Sequence, residues 1–262
     1  MRISVHETPE EIGHVLAGRI ATEIQKSSAK GRPYLLGCPG GRSPKPVYAA
    51  LAKLTNELGL DLSDLIIVMM DDYVDGAAPP FDYVDRNCHF SCRRFAFQEI
   101  AAVLNNAKPK EKQIQSHNIW FPDPGNAAAY DDRIAAAGGI DMFLLASGAS
   151  DGHVAFNPPG TSRDTGSRVV RLAELTRQDN LKTFPDFNSL GEVPGFGVTI
   201  GVGTIARHSR SAAMILFGED KKLAYQRISQ TVGYDPQWPS TIVRECNNPV
   251  LYADRAAAGC ST

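Results

Sequence analysis

Residues 140–160 read IDMFLLASGASDGHVAFNPPG. The first third, Ile140–Ala146, is an apolar run broken only by Asp141, of strand length rather than helix length. It ends in the small polar cluster SGASDGH. The same pattern recurs along the chain. PYLLG (33–37) runs into CPGGRSP, LIIVMM (65–70) into DDYVDG, FGVTIGVG (196–203) into TIARHSR, and SAAMILFG (211–218) into EDKK. A further run, PVLYAD (249–254), lies near the C-terminus. Near-continuous apolar strands suit a sheet buried on both faces. Helical patterns, such as Lys45–Leu54 and Asn126–Ala137, lie between them. Strands alternating with helices predict an α/β fold whose open sheet is mostly parallel and flanked by helices.

The N-terminal helix is the plainest. Thr8-Pro9-Glu10-Glu11 forms a capping box with proline at the first helical position, and Ile12, Val15, Leu16, Ile20 and Ile24 follow at helical spacing. Two stretches read as loops or a lid: 74–87, with a Pro-Pro pair, and 157–168, rich in Pro, Gly, Ser and Thr. With no repeat, low-complexity tract or linker, residues 1–262 are read as one domain.

Composition narrows the function classes. Lys+Arg is 27 against Asp+Glu 29, so a broad nucleic-acid surface, which needs a basic excess, is not expected. No apolar run approaches the roughly 20 residues that cross a bilayer. The start, MRISVHETPEEIG, lacks the apolar core of a signal peptide. The five cysteines (Cys38, Cys88, Cys92, Cys246, Cys260) form no CxxC pair, which fits reduced thiols and a cytoplasmic protein.

Ligands of open α/β sheets bind outside the carboxyl ends of the strands. Those ends carry Gly40-Gly41-Arg42-Ser43, Asp71-Asp72, Asp151-Gly152-His153 and Asp220-Lys221-Lys222. Glycines before the helix at Lys45 can present backbone N–H groups to a phosphate, with Arg42 and Ser43 beside them. The alternative is a plain strand-to-helix turn. Asp71 or Asp72 can act as a general base, or the pair can cap a helix. Asp151 and His153 leave one strand together, and a carboxylate beside an imidazole orients it and supports its cation. Lys221 can pair with a phosphate, and Lys182 is a weaker candidate of the same kind. Two segments imitate other chemistry. Gly201-Val-Gly203 lies late in the chain without the acid of a dinucleotide fingerprint. Cys88-His89-x-x-Cys92 lacks a second pair of metal ligands. No cofactor and no metal are expected.

Taken in order, the motifs resemble the glucosamine-6-phosphate deaminase and 6-phosphogluconolactonase family over nearly the whole chain. LGCPGGRSPKPVYAAL is similar to its phosphate loop and following helix, MMDDYV to its MDEYV segment, and SDGHVAFNPPG to DGHIAFNEPG. VTIGVGTI resembles its TVGVGTL strand, and FGEDKKLAY its GxxKAxA segment. HVAFN favours the deaminase branch over the lactonase branch, which reads DGHTASLFP there. The resemblance implies a Rossmann-like sheet with a loop or helix lid and a phosphorylated sugar as substrate. It implies Asp71 as the base moving a proton between C1 and C2. His153, with Asp151, assists ring opening. Gly40, Gly41, Ser43 and Lys221 hold the phosphate, Arg42 and Asp72 are expected to bind substrate with them, and so is Lys182, which stands where relatives have arginine. Relatives include monomers and hexamers, so a homo-oligomer is possible.

The departures are specific. Pro158 stands where the deaminases carry the glutamate that orients the ring-opening histidine, Ala149 replaces a loop glycine, and Asp72 replaces the glutamate of MDEYV. Arg168 matches a basic position of the allosteric site of regulated deaminases, but Val170 stands where a lysine is expected. The leading expectation is isomerisation with deamination of an amino-sugar 6-phosphate. The alternatives are hydrolysis of a phosphosugar lactone, isomerisation without amine release, and a non-catalytic sugar-phosphate sensor.

Overall fold

The computed structural model describes residues 1–260. Its strands are, in chain order, β1 (Arg2–His6), β2 (Tyr34–Cys38), β3 (Leu65–Met69), β4 (Asp71–Asp75), β5 (Asp82–Tyr83), β6 (Ile119–Trp120), β7 (Met142–Leu145), β8 (Arg168–Arg171), β9 (Phe196–Thr199), β10 (Ala212–Leu216) and β11 (Pro249–Asp254). Seven of them make a sheet in the order β1-β11-β10-β7-β2-β3-β6, and every neighbouring pair in it is parallel. The α/β class with a mostly parallel, helix-flanked sheet is therefore as the sequence predicts.

Side chains of successive strand residues point to opposite faces, so each buried strand feeds two cores. Leu36, Ile67 and Leu144 face one layer with Ile12, Leu16 and Ile20 of the helix Pro9–Ser28 and with Val47 and Leu51 of the helix Lys45–Glu57. Leu35, Val68, Phe143 and Met214 face the other, against Ile205, Ile228, Ile242 and Trp238. The first helix begins as its capping residues dictate: Glu11 N–H donates to the Thr8 hydroxyl at 3.2 Å, while the Glu11 carboxylate accepts from the Glu7 N–H at 3.0 Å. Val15 is an exception to the predicted stripe. It sits at the border of the apolar face and is 43% exposed.

One predicted strand changes sheet. FGVTIGVG reads as a strand of the parallel sheet, but only Phe196–Thr199 is strand, and it belongs to a second, antiparallel sheet of order β5-β4-β9-β8. The following Val202–His208 is a helix. A short strand buried in a small antiparallel sheet carries the same apolar run as one in a parallel sheet, so periodicity does not separate them. Gly201 lies under the backbone of residues 165–166; a Cβ there would sit 2.0 Å from the Thr165 carbonyl oxygen. Close packing of two chain segments, not a dinucleotide, accounts for the glycine.

The loop reading of 74–87 and 157–168 is also corrected in part. Asp71–Asp75 and Asp82–Tyr83 are strands of the antiparallel sheet, and β8 begins at Arg168. Neither stretch covers the cleft described next. The segment over it is the helix Glu174–Thr183 with Phe184, whose polar sequence leaves no periodic signal.

Candidate active site

The four central strands, β10, β7, β2 and β3, lie side by side and end at the same edge of the sheet. The chain connections reverse direction between β7 and β2, which is the switch point where such sheets open a crevice. A cleft of about 920 Å³ occupies this place. Each of the four strands delivers one predicted motif to it: β2 gives Gly40, Gly41, Arg42 and Ser43; β3, through Met70, gives Asp71; β7 gives Ser147–Ser150 and His153; β10 gives Asp220 and Lys221. Lys182 reaches the rim from the covering helix. Asp151 and Asp72 do not line the cleft; they lie behind it.

Residues of the β2 and β10 loops are drawn together by charge. Arg42 pairs with Asp220 across the gap between the β2 and β10 loops. Lys221 is buried and donates to the Ser147 carbonyl oxygen at 2.6 Å. Burial lowers the pKa of its ammonium, against the pull of Asp220. An entering dianion would favour the charged ammonium that burial disfavours. Lys222, its neighbour, points out to Glu219 at 3.1 Å.

Two carboxylates open β4 in succession, one residue beyond the end of β3, and meet different surroundings. Asp72 is fully buried. It accepts the N–H of Cys92 at 2.8 Å, the N–H of Arg93 at 3.2 Å and the Arg93 guanidinium at 3.2 Å. It therefore fixes the start of the helix Cys92–Phe95, and both its oxygens are taken up inside the fold, away from the cleft where the sequence reading expected it to bind substrate. Asp71 is buried at the cleft wall, and among the described residues its Oδ1 accepts only a thiol, from Cys92 at 3.3 Å. Burial pushes its pKa up to about 7; the Cys92 hydrogen bond opposes this, the charge of Asp72 adds to it, and His153 opposes it. A carboxyl of that basicity in a cleft is suited to proton transfer near neutrality.

The imidazole is held from behind. His153 Nδ1 is 2.6 Å from Asp151 Oδ1, and the Thr176 hydroxyl donates to Asp151 Oδ2 at 2.7 Å while lying 3.3 Å from His153 Nδ1. Burial drives the Asp151 pKa up, but the hydrogen bonds from His153 and Thr176 and the His153 charge overcome it and hold the carboxyl below the usual range. An ionised Asp151 accepts, so Nδ1 carries the proton and Nε2 is the nitrogen free for a ligand. Gly152 makes the turn possible: its φ is +67°, and a Cβ would lie 2.3 Å from the Trp238 ring.

The loop beyond is locked too. The buried Asn157 amide donates to the carbonyls of Val154 at 3.0 Å and Ile200 at 2.8 Å, and its oxygen accepts from Arg168 at 2.8 Å. Arg168 is thus committed inside the fold. Pro158 contributes only its carbonyl, which accepts from Thr161 at 2.6 Å.

Sequence reasoning did not find Thr176, Asp179 or Cys92. Thr176 and Asp179 lie on the covering helix. Asp179 accepts from the Ser150 hydroxyl at 2.8 Å, so two hydrogen-bonding residues of that helix dock onto the loop carrying His153. No local pattern announces contacts made across 25 residues or more. Cys92 stood in a segment resembling a metal cluster. There, His89 instead packs on Phe187, with ring centroids 4.5 Å apart, and Cys92 meets Asp71.

Residues 7–252 match the family model described as glucosamine-6-phosphate isomerases/6-phosphogluconolactonase. Over 259 residues the chain is 35% identical to a glucosamine-6-phosphate deaminase of Rhodococcus jostii (strain RHA1), covering 98% of this chain and 92% of that one. It is 29% identical to a glucosamine-6-phosphate isomerase of Candida albicans, covering 99% of this chain and 98% of that one. Among solved structures it is similar in fold to a monomeric glucosamine-6-phosphate deaminase, with a TM-score of 0.80 at 24% identity and full coverage of both chains. A 6-phosphogluconolactonase from Trypanosoma cruzi shares the fold at a TM-score of 0.67 and 21% identity, covering 100% of this chain and 97% of that one.

Proposed function

The chain belongs to the glucosamine-6-phosphate isomerase/6-phosphogluconolactonase family, and from that premise we propose that it isomerises and deaminates an amino-sugar 6-phosphate. The relatives named above support the reaction; the observation that carries it to these residues is one cleft holding Asp71, His153 and Lys221 together. It is an enzyme of the isomerase/deaminase type.

Each residue then has a step. The Gly40–Ser43 loop, Lys221 and Lys182 hold the phosphate dianion. His153 Nε2 takes the proton of the C1 hydroxyl and returns one to the ring oxygen, which opens the sugar. Ionised Asp71 removes the proton from C2, giving an enolamine, and delivers it to C1. The resulting imine at C2 takes up water and releases ammonia, leaving a ketose phosphate. Atoms balance as amino sugar phosphate plus water to ketose phosphate plus ammonia. Amine release by water makes the overall conversion hydrolytic, and five free thiols fit a reducing compartment such as the cytoplasm. Both sheets build the site, which supports treating 1–262 as one functional domain.

Incubation with glucosamine 6-phosphate is expected to yield ammonia and fructose 6-phosphate in equal amounts. Turnover of neither this substrate nor its galacto epimer, with hydrolysis of a phosphogluconolactone instead, would reject the proposal in favour of the lactonase reading.

Thr176 takes the orienting part that the Pro158 position cannot. Its hydroxyl fastens the Asp151 oxygen that His153 leaves unused. Thr176→Val keeps the shape and removes that bond, so kcat is expected to fall about tenfold with KM little changed, the scale of one charge-assisted hydrogen bond. Steady-state kinetics checks this; an unaltered kcat would leave Pro158 uncompensated.

A further inference from the structure

We propose that Cys92 is a positioning residue for the Asp71 carboxylate, holding it by a thiol donor weak enough to leave it basic. The inference rests on the proposed role of Asp71 as base. It begins from how one residue treats two neighbouring acids. The Cys92 backbone N–H, at the first turn of its helix, donates to Asp72 at 2.8 Å; its thiol donates to Asp71 at 3.3 Å. Asp72 also takes the Arg93 N–H and guanidinium and the Tyr73 N–H at 2.9 Å. Among the described residues, the thiol is the one donor to the Asp71 carboxylate. The strong donors thus go to the acid that builds the fold, and the weak one to the acid that faces the cleft.

A buried carboxylate with no donor rotates or stays protonated; one with several loses its basicity. A thiol is the weak member of the side-chain donors. It restrains the oxygen without competing strongly for the lone pair that must reach the C2 proton. Burial, with Asp71 and Asp72 beside it, pushes the Cys92 thiol well up, so it remains S–H and a donor across the working range. The other titratable groups facing Asp71 are Asp72 and Tyr73 of its own strand, His153 from the β7 loop and Tyr130 from the helix Ala128–Ala136. None of these hydrogen-bonds its carboxylate, so the response to changes at residue 92 is separable from theirs.

Two substitutions of opposite chemistry test it. Cys92→Ser supplies a stronger donor and is expected to move the acid limb of kcat/KM down by about one pH unit, with a lower plateau. Cys92→Ala removes the donor and is expected to move the limb up by about half a unit or more. A packing role alone would lower turnover in both variants without moving the limb, and an unmoved limb in both would overturn the proposal. The second readout needs no substrate: infrared titration of the protonated carboxyl band that Asp71→Asn removes. Opposite shifts of that midpoint in the two variants would sustain the positioning role even if no phosphosugar were turned over. Coincident midpoints with wild type would end it while the activity assays still judged the reaction.

Discussion

Asp71→Asn is expected to lower kcat by about 10²–10⁴-fold, the range that a positioned general base supplies, while KM changes by less than about threefold because the Gly40–Ser43 loop proposed to hold the phosphate is untouched. The wild-type profile should already report the residue. With a pKa pushed up to about 7, Asp71 is ionised above that pH and protonated below it. Activity should therefore fall about tenfold per pH unit on the acid side of 7 and level off above. The same substitution has a thermodynamic signature of opposite sign. Burial of the ionised carboxyl is the main cause of the shift, so the charged form costs the fold stability. The cost is absent below the ordinary 3.8, grows as pH rises toward 7 and is complete above it. At about 1.4 kcal/mol per pH unit this amounts to roughly 4 kcal/mol at most. Asp71→Asn should raise the melting temperature at pH 8 by several degrees and at pH 4 by much less. An inactive variant with no pH-dependent gain would place Asp71 in the reaction but contradict its burial as a charge. A stabilised variant with full turnover would remove it from the chemistry.

The trade proposed at Asp71, stability given up for a buried base, shows in the residues themselves only as a pair of aspartates after LIIVMM. The run itself was legible because six apolar residues in succession fit only an element buried on both faces. The strand ends were legible for the same reason, since a parallel sheet must turn its carboxyl ends to one edge. What each aspartate does was legible only through the family resemblance, which implied Asp71 as the base. The residues alone leave the pair equivalent; in the structure they part because Cys92 and Arg93, twenty residues on, bring amide and guanidinium donors to Asp72. β4 and β8 were hidden by their brevity and their charges: DDYVD and RVVR alternate too little to signal strands. The helix Glu174–Thr183 carries one buried residue, Thr176, so no apolar stripe announced that it docks, and the docked residue is the one facing Asp151. Contacts set by backbone pattern could be read; contacts set by where a loop returns could not.

Asp151→Asn is expected to lower turnover of the cyclic substrate by about 10²–10⁴-fold without loss of the cleft. The asparagine keeps the size of the side chain but can offer its N–H to Nδ1, which turns the imidazole to the opposite tautomer and leaves Nε2 protonated and unable to take the C1 hydroxyl proton. The bond to be broken is the 2.6 Å contact between Asp151 and Nδ1. If His153 serves ring opening and not proton transfer between carbons, the loss must depend on the substrate being a ring. An amino sugar phosphate lacking the 4- and 5-hydroxyls cannot cyclise, and on it the variant should retain most of the wild-type rate, while Asp71→Asn should remain inactive on both. The stability effect has the sign opposite to that at Asp71. Hydrogen bonds hold the Asp151 carboxyl ionised below its usual range, so its contribution is present at neutral pH and lost as pH falls below the ordinary carboxylate range. Asp151→Asn should thus lower the melting temperature at pH 7 and matter progressively less in acid. Equal losses on the cyclic and acyclic substrates would move His153 from ring opening to the carbon-to-carbon proton transfer, and the division of labour between the two acids would have to be redrawn.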